Sequence, residues 1–192
     1  MFFLFNNASS FDNKYFPKSG WSFTSDFQTY LFSSNYHNDF KPFSVVKAEF
    51  SKAFSLTNSL TFKFQGDAGL PIGNDGIPFF NFVLGGYGYN GINNFKPFFG
   101  YDFLSVAANS FIKASGTIDC VFLKKNHLNF SANFANLEQN LFQSKDWISL
   151  PKYSGYALGY GLETIIGPIE VKYSWSPELT KGFTWFSVGF WF

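Results

Sequence analysis

The sequence predicts an all-β chain, an antiparallel meander of about ten strands, and three observations predict it. Aromatic residues make up 23% of the 192 residues, with 30 Phe, 10 Tyr and 5 Trp against a single Met. That usage suits strands and disfavours helices, which draw on Leu, Ala, Met and Glu. Apolar and polar residues also alternate with a period of two, the spacing at which successive strand side chains point to opposite faces. Finally, Gly, Pro, Asn, Asp and Ser cluster between the alternating stretches, with no helical pattern between strands, so neighbours run antiparallel.

Taken in order, the strands span residues 2–5, 21–32, 43–54, 59–69, 79–84, 111–122, 127–135, 156–165, 169–175 and 183–192. The first looks cut short. The breakers Asp12, Asn13, Pro17, Ser19 and Gly20 make the turn after it. In the second, Trp21, Phe23, Phe27 and Leu31 oppose Ser22, Thr24, Asp26 and Gln28, until Tyr30 and Phe32 put aromatics on the polar side. The third sets Val46, Ala48, Phe50 and Phe54 against Lys47, Glu49 and Ser51, with Lys52 on the apolar side. The fourth is cleaner, with Leu60, Phe62, Phe64, Gly66 and Ala68 opposite Thr61, Lys63, Gln65 and Asp67.

Breakers between Gly69 and Pro78 lead into the fifth strand, and a glycine- and asparagine-rich connection then fills residues 85–109. The second half is the most regular. Ile112, Ile118, Cys120 and Phe122 oppose Lys113, Ser115, Thr117 and Asp119, and after a tight turn Leu128, Phe130 and Phe134 oppose Asn129, Ser131 and Asn133. A loop over 136–155 follows. Tyr156, Leu158 and Tyr160 then oppose Ala157, Gly159 and Gly161, and Val171 and Tyr173 oppose Glu170 and Lys172 across the turn at Gly167 and Pro168. In the last strand Phe186, Val188, Phe190 and Phe192 share one wholly apolar face.

Such two-faced strands fit a soluble sandwich, with charges outward, or a membrane barrel, in which Lys63, Asp67, Lys113, Asp119, Glu163, Glu170 and Lys172 line the lumen and the apolar faces meet lipid. Periodicity does not separate the two. The aromatic excess, the lack of any signal for a second layer and the terminal Phe select the transmembrane barrel. Spanning strands need only ~9 to 11 residues each, so the absence of about 18 consecutive apolar residues excludes a transmembrane helix and leaves a barrel open.

The net charge of +1, without any Lys/Arg block, excludes binding to nucleic acid through a basic surface. Cys120 is alone, and its position on an apolar face makes it a small packing residue rather than half of a disulfide. His37 and His127 lie apart from any cluster with metal-ligand spacing, so no metal or other cofactor is expected. Gly86-Tyr-Gly-Tyr-Asn-Gly91 matches G-x-G-x-x-G, but no helix pattern follows to hold a pyrophosphate, and the glycines read as backbone bends. Glu163 and Glu170 sit on neighbouring strands and could form an acid/base pair. Their alternation with Lys172 favours an ion-paired wall.

The aromatic end, closing an amphipathic strand on Phe192, resembles the signal by which outer-membrane β-barrels are recognised for insertion, with Phe186, Val188, Phe190 and Phe192 as its residues. Asp12-Asn-Lys-Tyr-Phe-Pro-Lys-Ser-Gly20, Leu70-Pro71, Leu84-Gly-Gly86 and Phe99-Gly-Tyr101 resemble the carboxy-terminal half of the bacterial surface antigen superfamily, the BamA/TamA-type barrels and two-partner secretion pores. Leu84-Gly-Gly-Tyr-Gly-Tyr-Asn with Pro97-Phe-Phe-Gly-Tyr-Asp-Phe103 looks closest to barrels fused to patatin-like phospholipases of Bacteroidetes-type bacteria. The resemblance implies an incomplete sixteen-stranded barrel in the outer membrane of a Gram-negative bacterium, with a loop entering the lumen. Phe99, Gly100 and Tyr101 match the loop tip. The family has Arg where Phe99 stands, so its luminal ion pair does not carry over.

The amino-terminus, Met-Phe-Phe-Leu-Phe-Asn-Asn, lacks the features of a secretory signal, and the expectation is a fragment of a longer exported chain. Its function is then that of a membrane anchor or translocation barrel for a missing amino-terminal domain. One alternative is the anchor of a patatin-like lipid hydrolase whose catalytic domain is absent, since no G-x-S-x-G nucleophile elbow occurs in the chain. A second is a self-contained small barrel. The implied partners are outer-membrane lipid, the barrel assembly machinery, and either the missing amino-terminal strands or a second copy.

Overall fold

The computed structural model describes residues 2–32, 40–73, 81–88 and 94–189. Nine strands form one antiparallel sheet: β1 (Phe2–Ser9), β2 (Gly20–Tyr30), β3 (Phe43–Ser55), β4 (Leu60–Ile72), β8 (Ser110–Phe122), β9 (Asn126–Glu138), β10 (Tyr153–Thr164), β11 (Gly167–Trp175) and β12 (Gly182–Val188). Each pairs with its sequence neighbour except across the step from β4 to β8. There the chain leaves the sheet and makes a separate three-stranded sheet from β5 (Phe82–Leu84), β6 (Phe95–Lys96) and β7 (Val106–Ala108).

Phe82–Leu84 is therefore not a wall strand. It pairs in parallel with β6 and antiparallel with β7, and its Phe82 and Leu84 are fully buried. Periodicity cannot separate a wall strand from a strand folded inside, because both offer short apolar runs. β1 is longer than residues 2–5. Asn6 and Asn7 have little strand preference, yet they pair with Ser25 and Thr24 in a register that continues to Ser9 and Ser22, so cross-strand pairing overrides propensity. β1 and β12 stand at the two edges of the sheet, and no further strand covers either edge among the described residues.

One end of the sheet carries the connections 10–19, 56–59, 123–125 and 165–166; at the other end the chain passes from β2 to β3, from β4 to β8, from β9 to β10 and from β11 to β12. The second set is longer, and it supplies the apolar core. Phe82, Leu84, Phe98 and Tyr101 from the 73–109 segment pack against Val45 of β3, Phe111 of β8 and Ala135 and Leu137 of β9, with Tyr30, Phe43 and Tyr153 at the margin. This accounts for the lapse of alternation at Tyr30: at this end the otherwise polar face turns aromatic, because it covers a folded loop. Gly69 leaves the room, since a Cβ there would stand 2.6 Å from both the Phe82 and the Phe111 rings.

A single loop touching β3, β8, β9 and β10 on one face requires the sheet to curl around it. Phe103 extends the contact to β12, where its ring meets Trp185 edge-on at 5.0 Å.

Candidate functional site

Burial along the strands is inverted relative to a soluble protein. In β9, His127, Asn129, Ser131 and Asn133 are 1%, 3%, 1% and 1% exposed, whereas Leu128, Phe130 and Phe134 are 48%, 41% and 37% exposed. Phe64, Ile118 and Val171 are exposed in the same way, while Thr61, Asp67, Lys113, Lys172 and Ser174 are buried. Water would select the opposite arrangement. A polar face turned inward and an apolar face turned out is the pattern of strands set in lipid.

The inward charges form a network. Lys113 of β8 reaches Asp67 of β4 at 2.9 Å, and Lys96 of β6 reaches Glu49 of β3 at 2.8 Å and Asp67 at 3.6 Å. The inserted loop is thus pinned by its own cation to two wall carboxylates. Sequence reasoning missed Lys96, because nothing in Asn94-Phe-Lys-Pro97 distinguishes it from a solvated loop lysine. Lys172 pairs with Glu170 at 3.5 Å on β11, and Lys47 pairs with Asp26 between β3 and β2. Lys63 lies 5.6 Å from the centre of the Phe11 ring.

The loop tip meets the wall on β9, β10 and β11. The Phe99 N–H donates to Asn133 Oδ1 at 2.7 Å, and Asn133 Nδ2 donates to the Gly155 carbonyl at 3.2 Å. Gly100 has φ +85°, and a Cβ on it would come within 2.5 Å of the Trp175 carbonyl oxygen, so both conformation and space require glycine. Gly155 of β10 is needed for space alone: a Cβ there would run into the Phe99 carbonyl and stand 2.6 Å from Asn133 Nδ2. Tyr101 is buried, and its hydroxyl donates to Glu178 at 3.3 Å, beside the Ser176 hydroxyl, which also donates to Glu178.

Phe99 does not leave the tip without a cation. Lys172 Nζ lies 4.5 Å from the centre of the Tyr87 ring and 5.6 Å from that of Phe99, the two rings stack, and the Tyr87 hydroxyl donates to Glu170. The wall thus supplies the charge and the loop supplies the aromatic faces.

At the other end the connection 10–19 folds back over the same face. Asp12 Oδ1 accepts from the Lys18 and Ser19 N–H groups at 2.9 and 3.1 Å, and Asn13 Oδ1 accepts from Tyr15 and Phe16 at 2.9 and 3.2 Å. These side-chain acceptors shape the turn and aim Phe16 inward. Burial alone would raise the Asp12 pKa, but the N–H groups of Ser19, Lys18 and Asn13 together hold it below the usual carboxylate range. Phe16 stacks on His127 at 3.9 Å, directly over Gly161, where a Cβ would stand 2.8 Å from its ring.

His127 Nδ1 is 2.7 Å from Asp119 Oδ2, and its Nε2 is 3.5 Å from Glu163. The sequence showed His127 as a lone residue beside a turn. The strand register brings it between two carboxylates, a pairing that one-dimensional spacing does not display. Phe186 and Val188 of the apolar end lie exposed on β12; Phe190 and Phe192 fall outside the described residues.

Strands polar inside and apolar outside, curled around a long inserted loop, define a transmembrane β-barrel wall of the outer-membrane type. Residues 2–192 match the OMP85 superfamily, and the chain belongs to that superfamily: it is a bacterial outer-membrane barrel segment of the surface antigen kind. Seven solved chains match. Among them, the crystal structure of BamA from Haemophilus ducreyi lacking POTRA domains 1–3 superposes with a TM-score of 0.68 at 17% identity, over 94% of this chain and 41% of that one. This chain thus spans about two fifths of the BamA chain it resembles. No curated protein matches it.

Proposed function

We propose that the chain is the carboxy-terminal part of a larger barrel in the outer membrane of a Gram-negative bacterium, acting as anchor or translocation barrel for a domain ahead of it. The observation that carries this is the inverted burial of β9, which suits lipid on one side and a hydrated lumen on the other. Lys63, Asp67, Lys113, Asp119, Glu163, Glu170 and Lys172 line that lumen on this reading, and the Phe99-Gly100-Tyr101 tip closes part of it. The barrel assembly machinery would recognise the aromatic end at Phe186, Val188, Phe190 and Phe192.

The open edges support closure by strands from outside this chain or by a second copy. β1 presents Phe2, Phe3, Leu4 and Phe5, each more than half exposed. Backbone groups left unpaired in lipid cost several kcal/mol each, so the edges require partners.

The test is site-specific labelling of the protein encoded by the complete reading frame, in outer membranes, with Cys120 first replaced by Ser. Single cysteines at Ser131 and Thr117 should react with a water-soluble maleimide, and cysteines at Phe130 and Ile118 only with a lipid-soluble one. The reverse pattern would refute the reading.

A further inference from the structure

The strand register leaves a gap in the polar face, and the charges around it do not balance. Lys63, Thr117, Ser131, Ala157 and Ser174 lie in one row across β4, β8, β9, β10 and β11, and Gln65, Ser115, Asn133 and Gly155 lie in the next. Most of these side chains are short. Larger groups flank them, Asp67 and Lys113 on one side, Asp119, Asn129 and Lys172 on the other, and the inserted loop and the 10–19 turn border the space at its two ends. The result is a cavity of about 330 Å³.

Lys63, Lys96, Lys113, Lys172, Glu49 and Glu170 line the cavity, and Lys14 reaches it from the turn. Lys96, Lys113 and Lys172 each have a carboxylate within 3.5 Å, and these ion pairs also engage Glu49, Asp67 and Glu170. Among the described residues, no carboxylate stands within the 4.0 Å of an ion pair from Lys63. Its described contact is the face of Phe11. A half-buried ammonium with no carboxylate at ion-pair distance leaves its hydrogen-bond donors without an acceptor, although Glu49 and Asp67 are near enough to offset part of its charge.

Donors converge beside it. The Thr117 and Ser131 hydroxyls share one hydrogen bond at 2.9 Å, so whichever accepts keeps a hydrogen for a third group. Both line the cavity, Thr117 next to Lys63 in the register and Ser131 one strand beyond it. An anion bringing several acceptor oxygens would meet the ammonium and that hydroxyl together, inside low-dielectric walls that strengthen charge-assisted bonds.

We propose that this cavity binds a phosphate-class oxyanion, held chiefly by Lys63 with Thr117 and Ser131 beside it. The proposal rests on the polar face lining the lumen. The phosphate arrives either free in solution or as the headgroup of a phospholipid, and the test separates the two.

The protein from the complete reading frame, purified in non-ionic, phosphate-free detergent, is titrated with inorganic phosphate and, separately, with short-chain phosphatidylglycerol, and binding is read by calorimetry. Either probe should bind in competition with the other, with affinity at least tenfold lower in Lys63→Met and largely retained in Lys63→Arg. Lys52→Met, on the apolar face, should bind as the parent does. Phosphate binding at parity with the lipid assigns the free anion, and much tighter lipid binding assigns the headgroup.

No saturable binding of either probe, or equal binding by Lys63→Met, overturns the site. If Lys63→Met does not fold, judged by heat-dependent migration on a gel, Thr117→Val with Ser131→Ala replaces it and should weaken binding severalfold; unchanged binding again overturns the site. Because the cysteine labelling above tests the lumen assignment separately, a correctly labelled barrel that binds no phosphate refutes this inference alone.

Discussion

The Phe16 ring lies 3.9 Å from the imidazole of His127 at an interplanar angle of 15°, joining the first turn of the chain to the ninth strand across the inside of the sheet. Both are buried, and Gly161 provides the floor. Nothing in the pairing of β1 with β2 demands this contact. It forms because the sheet curls far enough to bring β9 and β10 under the turn.

Phe16→Ala should therefore loosen the end of the sheet that carries the 10–19 turn. The expected loss is at the lower end of the ~3 to 5 kcal/mol seen for truncating buried Phe, because one side of the ring borders small cavities. Urea unfolding in detergent measures it, and cleavage at Lys14 or Lys18 by added protease should accelerate. Unchanged stability and protease resistance would mean the stack is incidental.

Acid should release the same turn. The folded-state pKa of Asp12 is depressed, so its contribution is complete above the ordinary carboxylate range and is lost as the pH falls through the depressed value. Glu178, next to Tyr101, behaves alike: burial opposes the shift, but the Ser176 and Ser154 hydroxyls hold its pKa down. Hydrogen exchange of residues 12–19 should quicken only on acidification below the usual Asp range, and Asp12→Asn should remove that step. A transition near neutral pH would contradict the assignment.

Gly155→Ala should dislodge the loop tip. The added methyl group would overlap the Phe99 carbonyl, so the cost is about 1 to 3 kcal/mol or more. Exchange of the Phe99 amide, which donates to Asn133, reports it directly. Protection equal to the parent's would show that the tip shifts without loss.

Arg at Phe62, Phe64, Ile118, Phe130 or Val171 should cost about 2 to 4 kcal/mol near mid-membrane, whereas Arg at Thr61 or Ser131 should cost less. Folding into bilayers of known composition measures the difference. Equal costs on both faces would argue against lipid contact.

External protease should cut intact cells near Lys145, in the 139–152 connection, and spare Lys124, in a short turn at the opposite end. Bacterial barrels carry short periplasmic turns and longer outer loops. Cleavage at Lys124 with protection at Lys145 would invert the orientation.

The sequence by itself determined the wall. Period-two alternation in residues such as Leu128 to Phe134 fixes which side chains share a face, because that follows from backbone geometry alone, and the turn residues fix where strands reverse. Alternation alone could not determine which face is buried, since a sandwich and a barrel use the same pattern with opposite solvents; the aromatic excess and the terminal Phe selected the barrel. Nor could alternation tell that Phe82–Leu84 leaves the wall and folds within it, because a buried apolar run reads the same in either place.

Only the tertiary structure decided the contacts between distant strands: Lys96 on Glu49 and Asp67, Lys172 over Tyr87 and Phe99, and Phe16 over His127. These depend on the curl of the sheet. Curl is a collective result of strand twist and of the loop packed inside, and no local window of residues encodes it.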